Sequence, residues 1–456
     1  GPIRRRAYSG AELVCNISAS PFRLGIVQTR RELIATRAAD HGCAIAYANL
    51  VGANDGLIFD GGGLVNQNGR QMLDAPRFRQ GFAATTIDLD RTARLRIENS
   101  TWRSDQESFV TEQPAVLAID VPPDVLATAA GRQRLVYPTP ANRSFFLPPV
   151  ETPPSPRVAF YEDILDALAL GVGDYFEKNP QFKQIGVALS GGRDSLLTLL
   201  VAHRYASKVR PGDPGSLLRA FSMPSRYTSE ATLAAAKQIC ADLGVPLAIV
   251  PIDEAYEREL AAAQAMLGPD HPVTELTKQN IQARVRGQRM WNWSNSSAGL
   301  FLQTGNMSEK AVGYTTIGGD LMGALGVLAN VPKTVVMALL DYLLEQTGHD
   351  GIRQVLARPA GPELAADQVG EAELMPFPIL DACFYLFGAE KLLPDEIVSV
   401  LVPMFPDVPP ARLQAYVDKF TRLFLGSIYK WVQAPISLHI GNLDLDRERA
   451  LQLPVV

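Results

Sequence analysis

The chain has 456 residues, 47% of them hydrophobic and 20% charged, and its 43 Lys+Arg against 48 Asp+Glu leave a formal charge of −5. That composition excludes wholesale disorder and collagen-like structure, and its mild acidity gives no general attraction to nucleic acid or an anionic membrane. Four scattered cysteines without a CxxC pair, five histidines without an HxxxH pair and no apolar run near the ~20 residues of a bilayer span point to a reduced, cytoplasmic protein with no zinc site.

At roughly 100–200 residues per domain, two or three domains are expected. No apolar core follows the charged GPIRRRAYSG start, so no secretory signal is read there. Apolar runs at 12–19 and 44–51 read as strands, with a helix over 29–41 between them. Gly56, Gly61-Gly62-Gly63 and Asn68-Gly69 are turn signals, and 83–89 (AATTIDL) reads as another strand. Residues 100–157 carry VPP, YPTP, LPP and TPPSPR, which predicts an extended connector rather than a core. The domains are therefore placed at 1–100, 101–157 and 158–456. From 158 onward, helix 160–177, strand 185–189, helix 195–207, strand 217–223, helix 228–243 and strand 246–252 alternate. This is the pattern of an α/β, doubly wound parallel sheet, which binds ligands at the carboxyl ends of its strands.

The most informative letters are IGVALSGGRDS (185–195). A buried strand ends at Leu189, and Ser190-Gly191-Gly192 turns tightly into a helix whose first N–H groups and dipole favour an anion. The hydroxyls of Ser190 and Ser195 can donate to phosphate oxygens. Asp194 repels bare phosphate, so a divalent cation, naturally Mg²⁺, is expected between them. There is no GxxxxGK[ST] and no lysine at the helix start, so this is not a Walker A loop. Ordinary helix capping would use the same letters.

Strand–SGGxDS–helix resembles the pyrophosphate loop of the ATP pyrophosphatase superfamily. MPSRYTS (223–229), NIQARVR (280–286), TGNMSEKAVGYTTIGGD (304–320), VPKT (331–334), PAGPEL (359–364), Gln368 and ILDA (379–382) resemble NAD synthetases in order and spacing. The resemblance implies an adenine nucleotide alpha hydrolase-like fold and amidation of deamido-NAD to NAD through an acyl-adenylate, with release of AMP and pyrophosphate. It implies that Leu189, Ser190, Gly191, Gly192, Arg193, Asp194, Ser195, Thr304 and Lys333 meet ATP, and that Asp194 and Glu309 hold Mg²⁺. Asn280, Arg284, Glu309, Tyr314, Thr315, Thr316, Ile317, Asp320 and Lys430 would surround deamido-NAD. Asp194, Lys333 and Asp320 are the catalytic candidates, and a homo-oligomer is expected. Of Arg284 and Arg286, which lie on different helix faces, one can meet a phosphate while the other pairs with an acid. First-turn capping remains the alternative for Glu309. Two letters depart from the family pattern: Trp431 stands where an arginine is frequent, and PAGPEL is one residue longer than PSAEL.

NISASPF (16–22) and YANLVGANDGLIFDGGG (47–63) resemble the C-terminal half of an αββα nitrilase-like amidase domain, which in glutamine-dependent NAD synthetases supplies ammonia. Ser20 matches a glutamine contact. The family's catalytic cysteine lies upstream of NISASPF, so the chain is expected to lack that nucleophile and the first half of the domain, and to expose sheet edge. Cys15 and Cys43 read as buried, apolar-like thiols. The alternatives are an ammonia-dependent NAD synthetase, another AMP-forming amide or thioamide synthesising enzyme with this loop, or a nucleotide-binding module without catalysis.

Overall fold

A computed structural model describes residues 2–112, 155–358, 364, 374–441, 443–446 and 451. The described residues fall into two compact units, the first within 1–52 and 59–159, the second within 53–58 and 160–456. Most of the expected connector, residues 359–363 of PAGPEL and Gln368 lie outside the described residues.

The first unit opens with helix α1 (Pro2–Tyr8) and strand β1 (Leu13–Ser18), and α2 (Ile26–Asp40) leads to β2 (Ala44–Asn49), which pairs parallel with β1. A short hairpin, β3 (Val51–Asn54) and β4 (Leu57–Asp60), whose residues 53–58 count with the second unit, precedes β5 (Gly63–Gln67) and β6 (Arg70–Asp74). Asn68 (φ 51°) and Gly69 (φ 89°) form the two-residue turn joining β5 to β6. Left-handed backbone at both positions is the twist an antiparallel hairpin requires. The four-stranded sheet runs β1-β2-β5-β6. Val14, Ile45, Tyr47 and Leu64 pack with Ile34, Ala38 and Cys43 in its core.

Three expectations fail in this unit. Residues 83–88 form no strand and most are exposed, because β-branched residues make a strand only when a partner edge and a covering face are present. Residues 100–112 are not connector. After α3 (Leu89–Glu98) they form α4 (Ser100–Glu112), whose buried Trp102 donates from Nε1 to the His41 carbonyl at 3.0 Å and meets the Tyr8 ring edge-on. Cys15 is exposed, not buried, because strand alternation turns it away from the face where Val14 packs. β1 is an edge strand and also presents Leu13 and Ile17 to solvent.

From residue 160 the second unit holds most of α5 (Pro156–Lys178), then β7 (Gln184–Ala188) and α6 (Arg193–Val209). There follow β8 (Leu218–Ser222), α7 (Glu230–Leu243), β9 (Leu247–Ile249), α8 (Asp253–Leu267), α9 (Glu275–Ser297), β10 (Gly299–Gln303), α10 (Met307–Ala311) and β11 (Leu325–Gly326). The five strands are parallel in the order β11-β10-β7-β8-β9, the expected doubly wound sheet. Ile185, Val187, Leu218, Ala220, Leu300 and Leu302 are almost fully buried, and Phe221 and Phe301 pack with Ile281, Val285, Met290 and Trp293 of α9. The Trp293 ring lies where Cβ atoms of Gly186 and Gly299 would stand, 2.1 and 2.3 Å away, so two glycines on adjacent strands let α9 approach the sheet closely. β7 neighbours both β8 and the later β10, so the winding reverses at the carboxyl end of β7.

The chain closes with α11 (Lys333–Thr347), α12 (Asp350–Leu356), α13 (Phe377–Gly388), α14 (Pro394–Met404), α15 (Pro410–Leu425) and α16 (Ile428–Trp431). Leu380, Phe384, Leu413, Phe420, Phe424 and Trp431 form the core of the last helices. Among the described residues no helix is long and apolar enough to cross a membrane.

Candidate active site

At the reversal point, Leu189 is core, its N–H donating to the Phe221 carbonyl at 2.8 Å. Gly191 has φ 79°, and a Cβ there would lie 2.6 Å from Thr232 Cγ2 and 2.7 Å from the Thr232 carbonyl oxygen. Conformation and space both demand glycine. Gly192 caps α6 without a side-chain acceptor, and the first helical hydrogen bond is donated by the Leu196 N–H, at 3.1 Å to the Gly192 carbonyl. The serines do not cap the helix. Ser190 Oγ and Ser195 Oγ bond each other at 3.0 Å, Gly192 N–H donates to Ser190 Oγ at 3.2 Å, and Ser190 N–H donates to Ser195 Oγ at 3.2 Å. The first-turn amides of α6 are thus presented as an anion cradle.

Beside the cradle stand the three charged residues singled out from separate segments. Lys333, at the first position of α11, is buried, and its Nζ donates to Asp194 Oδ2 at 2.5 Å and Glu309 Oε1 at 3.2 Å. Burial opposes the charge on Lys333, yet the two carboxylates outweigh it and its pKa is raised. Burial and the nearby Asp194 push Glu309 upward, against the pull of Lys333. Glu309 caps nothing with its side chain; Asn306 Oδ1 accepts its backbone N–H at 3.1 Å. Asp194 Oδ1 and Asn306 Nδ2 are buried with no hydrogen-bond partner among the described residues. Two carboxylates, one with an unused oxygen, suit a hard divalent cation that takes its remaining ligands from water and phosphate. No group of three or more His, Cys, Asp or Glu fit for a metal occurs among the described residues. Thr304, half-buried, follows directly on β10.

The other expected residues assemble around the loop 313–320. Thr316 Oγ1 donates to Asn280 Oδ1 at 2.8 Å, and Thr316 N–H donates to Asp320 Oδ1 at 2.5 Å. Arg284 Nε donates to the Ile317 carbonyl at 3.1 Å, and Lys430 Nζ donates to the carbonyls of Gly313 and Thr315 at 2.6 and 2.7 Å. Tyr314 packs against the C-terminal helical core. Among the described residues Arg286 pairs directly with no acid: its Nε donates to the Met223 carbonyl at 3.0 Å, and burial lowers its pKa to about 10 against the pull of Asp253. Trp431 is core, its Nε1 donating to the Lys310 carbonyl at 2.9 Å.

Sequence reading missed Arg358 and Gln303. Arg358 reaches the Gly191 carbonyl at 2.9 Å and also Thr232 Oγ1, while Arg193 turns its Nη2 to the carbonyls of Arg358 at 2.6 Å and Leu356 at 3.4 Å. Gln303 Nε2 donates to the Asp320 carbonyl at 3.0 Å, tying the end of β10 to the loop 313–320. Neither residue stands in a motif of its own, so no local signal pointed to it. In the first unit, Ser20 Oγ accepts from Arg30 Nε and Nη2 at 3.3 and 3.1 Å, and Asn49 brackets its backbone through Ser20 N–H to Oδ1 at 2.8 Å and Nδ2 to the Ser20 carbonyl at 3.0 Å.

The NAD synthase family matches residues 164–404. The glutamine-dependent NAD(+) synthetase of Aquifex aeolicus is 30% identical over 450 residues, covering 97% of this chain and 70% of its own. The solved glutamine-dependent NAD(+) synthetase of Cytophaga hutchinsonii shares the fold over 99% of this chain and 69% of its own, with TM-score 0.73 and 20% identity. That of Acinetobacter baumannii, solved in complex with ADP, aligns over the same shares with TM-score 0.59 and 25% identity. Several other curated relatives are spanned for only 60–62% of their length. With the SGGRDS loop, the lysine-bridged carboxylates and the loop 313–320 all lying within the matched segment, the chain belongs to the NAD synthase family.

Proposed function

We propose that the second unit adenylates and then amidates deamido-NAD, and that the whole protein takes the ammonia from glutamine. The observation that carries this is the Asp194–Lys333–Glu309 cluster beside the uncapped start of α6. In this reading the amides of α6 and Lys333 hold the ATP phosphates, with Ser190, Gly191, Gly192, Ser195 and Thr304 shaping that pocket. Asn280, Arg284, the loop 313–317, Asp320 and Lys430 shape the pocket for deamido-NAD. Asp194 and Glu309 would hold Mg²⁺, which supplies charge neutralisation for the departing pyrophosphate.

The nicotinate carboxylate of deamido-NAD attacks the α-phosphorus of ATP, and the bond to pyrophosphate breaks. Lys333 and the first-turn amides of α6 stabilise the charge growing on the leaving oxygens. Ammonia then attacks the acyl carbon, AMP leaves with the electron pair of the C–O bond, and the ammonium proton is lost. No side-chain nucleophile is required, and catalysis is positioning plus charge stabilisation.

The first unit is read as the C-terminal part of the nitrilase-like domain, with Ser20 as its glutamine contact. Supporting this is the alignment of nearly the whole chain with glutamine-dependent enzymes rather than with the second unit alone. A cytoplasmic setting agrees with the four free cysteines, and a homo-oligomer, carried from the resemblance, is read by light scattering. The purified chain is expected to release AMP and pyrophosphate and form NAD from ATP, Mg²⁺ and ammonium only when deamido-NAD is present. Release of ADP, or a need for a different acceptor, overturns the reading.

A further inference from the structure

The ILDA segment, singled out in the sequence without a role, places Asp381 one helical turn after Phe377 on α13. Positions i and i+4 share a helix face. That face is turned to Lys333: the Phe377 ring lies 5.2 Å from Lys333 Nζ, an approach that favours the ammonium electrostatically. The Asp381 carboxylate is fully engaged. Oδ1 accepts from Ser308 Oγ, and Oδ2 accepts from both the Thr334 N–H at 3.0 Å and Thr334 Oγ1 at 2.6 Å. Ser308 Oγ, whose O–H donates to Asp381, accepts the Lys333 N–H at 2.7 Å. Ser308 precedes Glu309 on α10, and Thr334 follows Lys333 on α11. One carboxylate thus ties together the starts of the two helices that carry the charged side chains facing Asp194.

A lysine side chain has four rotatable bonds, so its ammonium is placed only as well as its backbone is held. Lys333 has Pro332 as its N-cap residue and no side-chain cap. The hydrogen bond from its own N–H to Ser308 and the pair from Thr334 to Asp381 hold its backbone instead.

We propose that Asp381 is a positioning residue for the adenylation step, acting through Ser308 and Thr334 to fix Lys333 and Glu309 against the phosphate cradle. This rests on the function proposed above. Asp381 touches no reacting atom. None of the side chains that anchor the loop 313–320, Asn280, Arg284, Gln303 and Lys430, bonds to Asp381, so the effect is expected on turnover more than on the affinity for deamido-NAD.

The test compares wild type, Asp381→Asn, Ser308→Ala and their double variant in pyrophosphate release with saturating ATP and varied deamido-NAD. A misplacement of about 1 Å costs on the order of 10²-fold, so kcat is expected to fall about 10- to 100-fold with KM for deamido-NAD within about twofold. Because one relay is cut at two points, the double variant is expected to be no slower than the slower single variant. Thr334→Val, which removes one donor and keeps the backbone amide, serves where Asp381→Asn does not fold, with a smaller fall in kcat expected. An unchanged kcat in a folded variant, a rise in KM of similar size, or multiplied losses in the double variant overturns the proposal. A wild-type chain that makes no pyrophosphate with deamido-NAD instead overturns the functional reading and the proposal with it.

Discussion

Two acidic groups in this molecule, one buried and one half-buried, have opposite surroundings. Asp60 is wholly buried, and both its oxygens are taken: Oδ1 accepts from Arg30 Nη1 at 2.7 Å and Asn49 Nδ2 at 3.3 Å, and Oδ2 accepts from Arg77 Nη1 at 3.3 Å. Asp194 shares one lysine with Glu309 and leaves Oδ1 with no partner among the described residues. The first arrangement is saturated and fixes the segment around Ser20. The second holds two negative charges against one positive charge, beside helix amides that no side chain caps. A desolvated, unfilled polar atom costs free energy in the resting protein, and such groups persist where a ligand completes them.

The sharpest way to break this comparison is to empty the saturated site. Asp60→Ala removes the carboxylate that Arg30 and Arg77 share, and a loss of about 3–5 kcal/mol is expected in denaturant unfolding of the first unit. Nucleotide binding by the second unit should stay as it was. Asp194→Asn should do the reverse, lowering AMP release about 10²–10³-fold, or roughly 3–4 kcal/mol of transition-state stabilisation. Its unfolding midpoint should hold, since the change removes one of two crowded carboxylates. Gly191→Ala forces a side chain into left-handed backbone against Thr232, and about 1–3 kcal/mol of strain should raise KM for ATP at least severalfold in steady-state kinetics.

The smallest effect is expected at Lys310, a buried cation outside the cluster, 3.5 Å from Ser437 Oγ. Burial lowers its pKa from 10.5 to about 8. Between those values the unfolded chain binds more protons than the folded one, so stability gains from rising pH across that window. Thermal unfolding from pH 7 to 10.5 should show that gain in wild type and its loss in Lys310→Met. A flat difference between the two would mean that Lys310 is charged throughout.

What the letters revealed is local chemistry. Gly191 was readable because a tight strand-to-helix turn requires positive φ, and Asn68-Gly69 because a two-residue hairpin requires it twice. Lys333, Asp194 and Glu309 were readable as members of motifs, though that a lysine bridges the two acids was not. Arg358, Gln303 and Asp381 act across long stretches of chain, where no spacing rule reaches. The strand expected at 83–89 had the composition of a strand but no edge to join. The helix at 100–112 was hidden by grouping it with prolines that begin only at Pro114. Cys15 was misread because its strand's outward face carries apolar letters too.

The notch formed by Gly186 and Gly299 has a reach beyond the sheet. Trp293 rests in it near one end of α9, while Asn280 lies thirteen residues toward the other, about 20 Å along the axis. An alanine in either strand would wedge the indole outward and tilt the rod about that pivot, carrying Asn280 and Arg284 off their grip on Thr316 and Ile317. The anchoring of the loop 313–320 would therefore shift through one buried methyl group near the other end of α9.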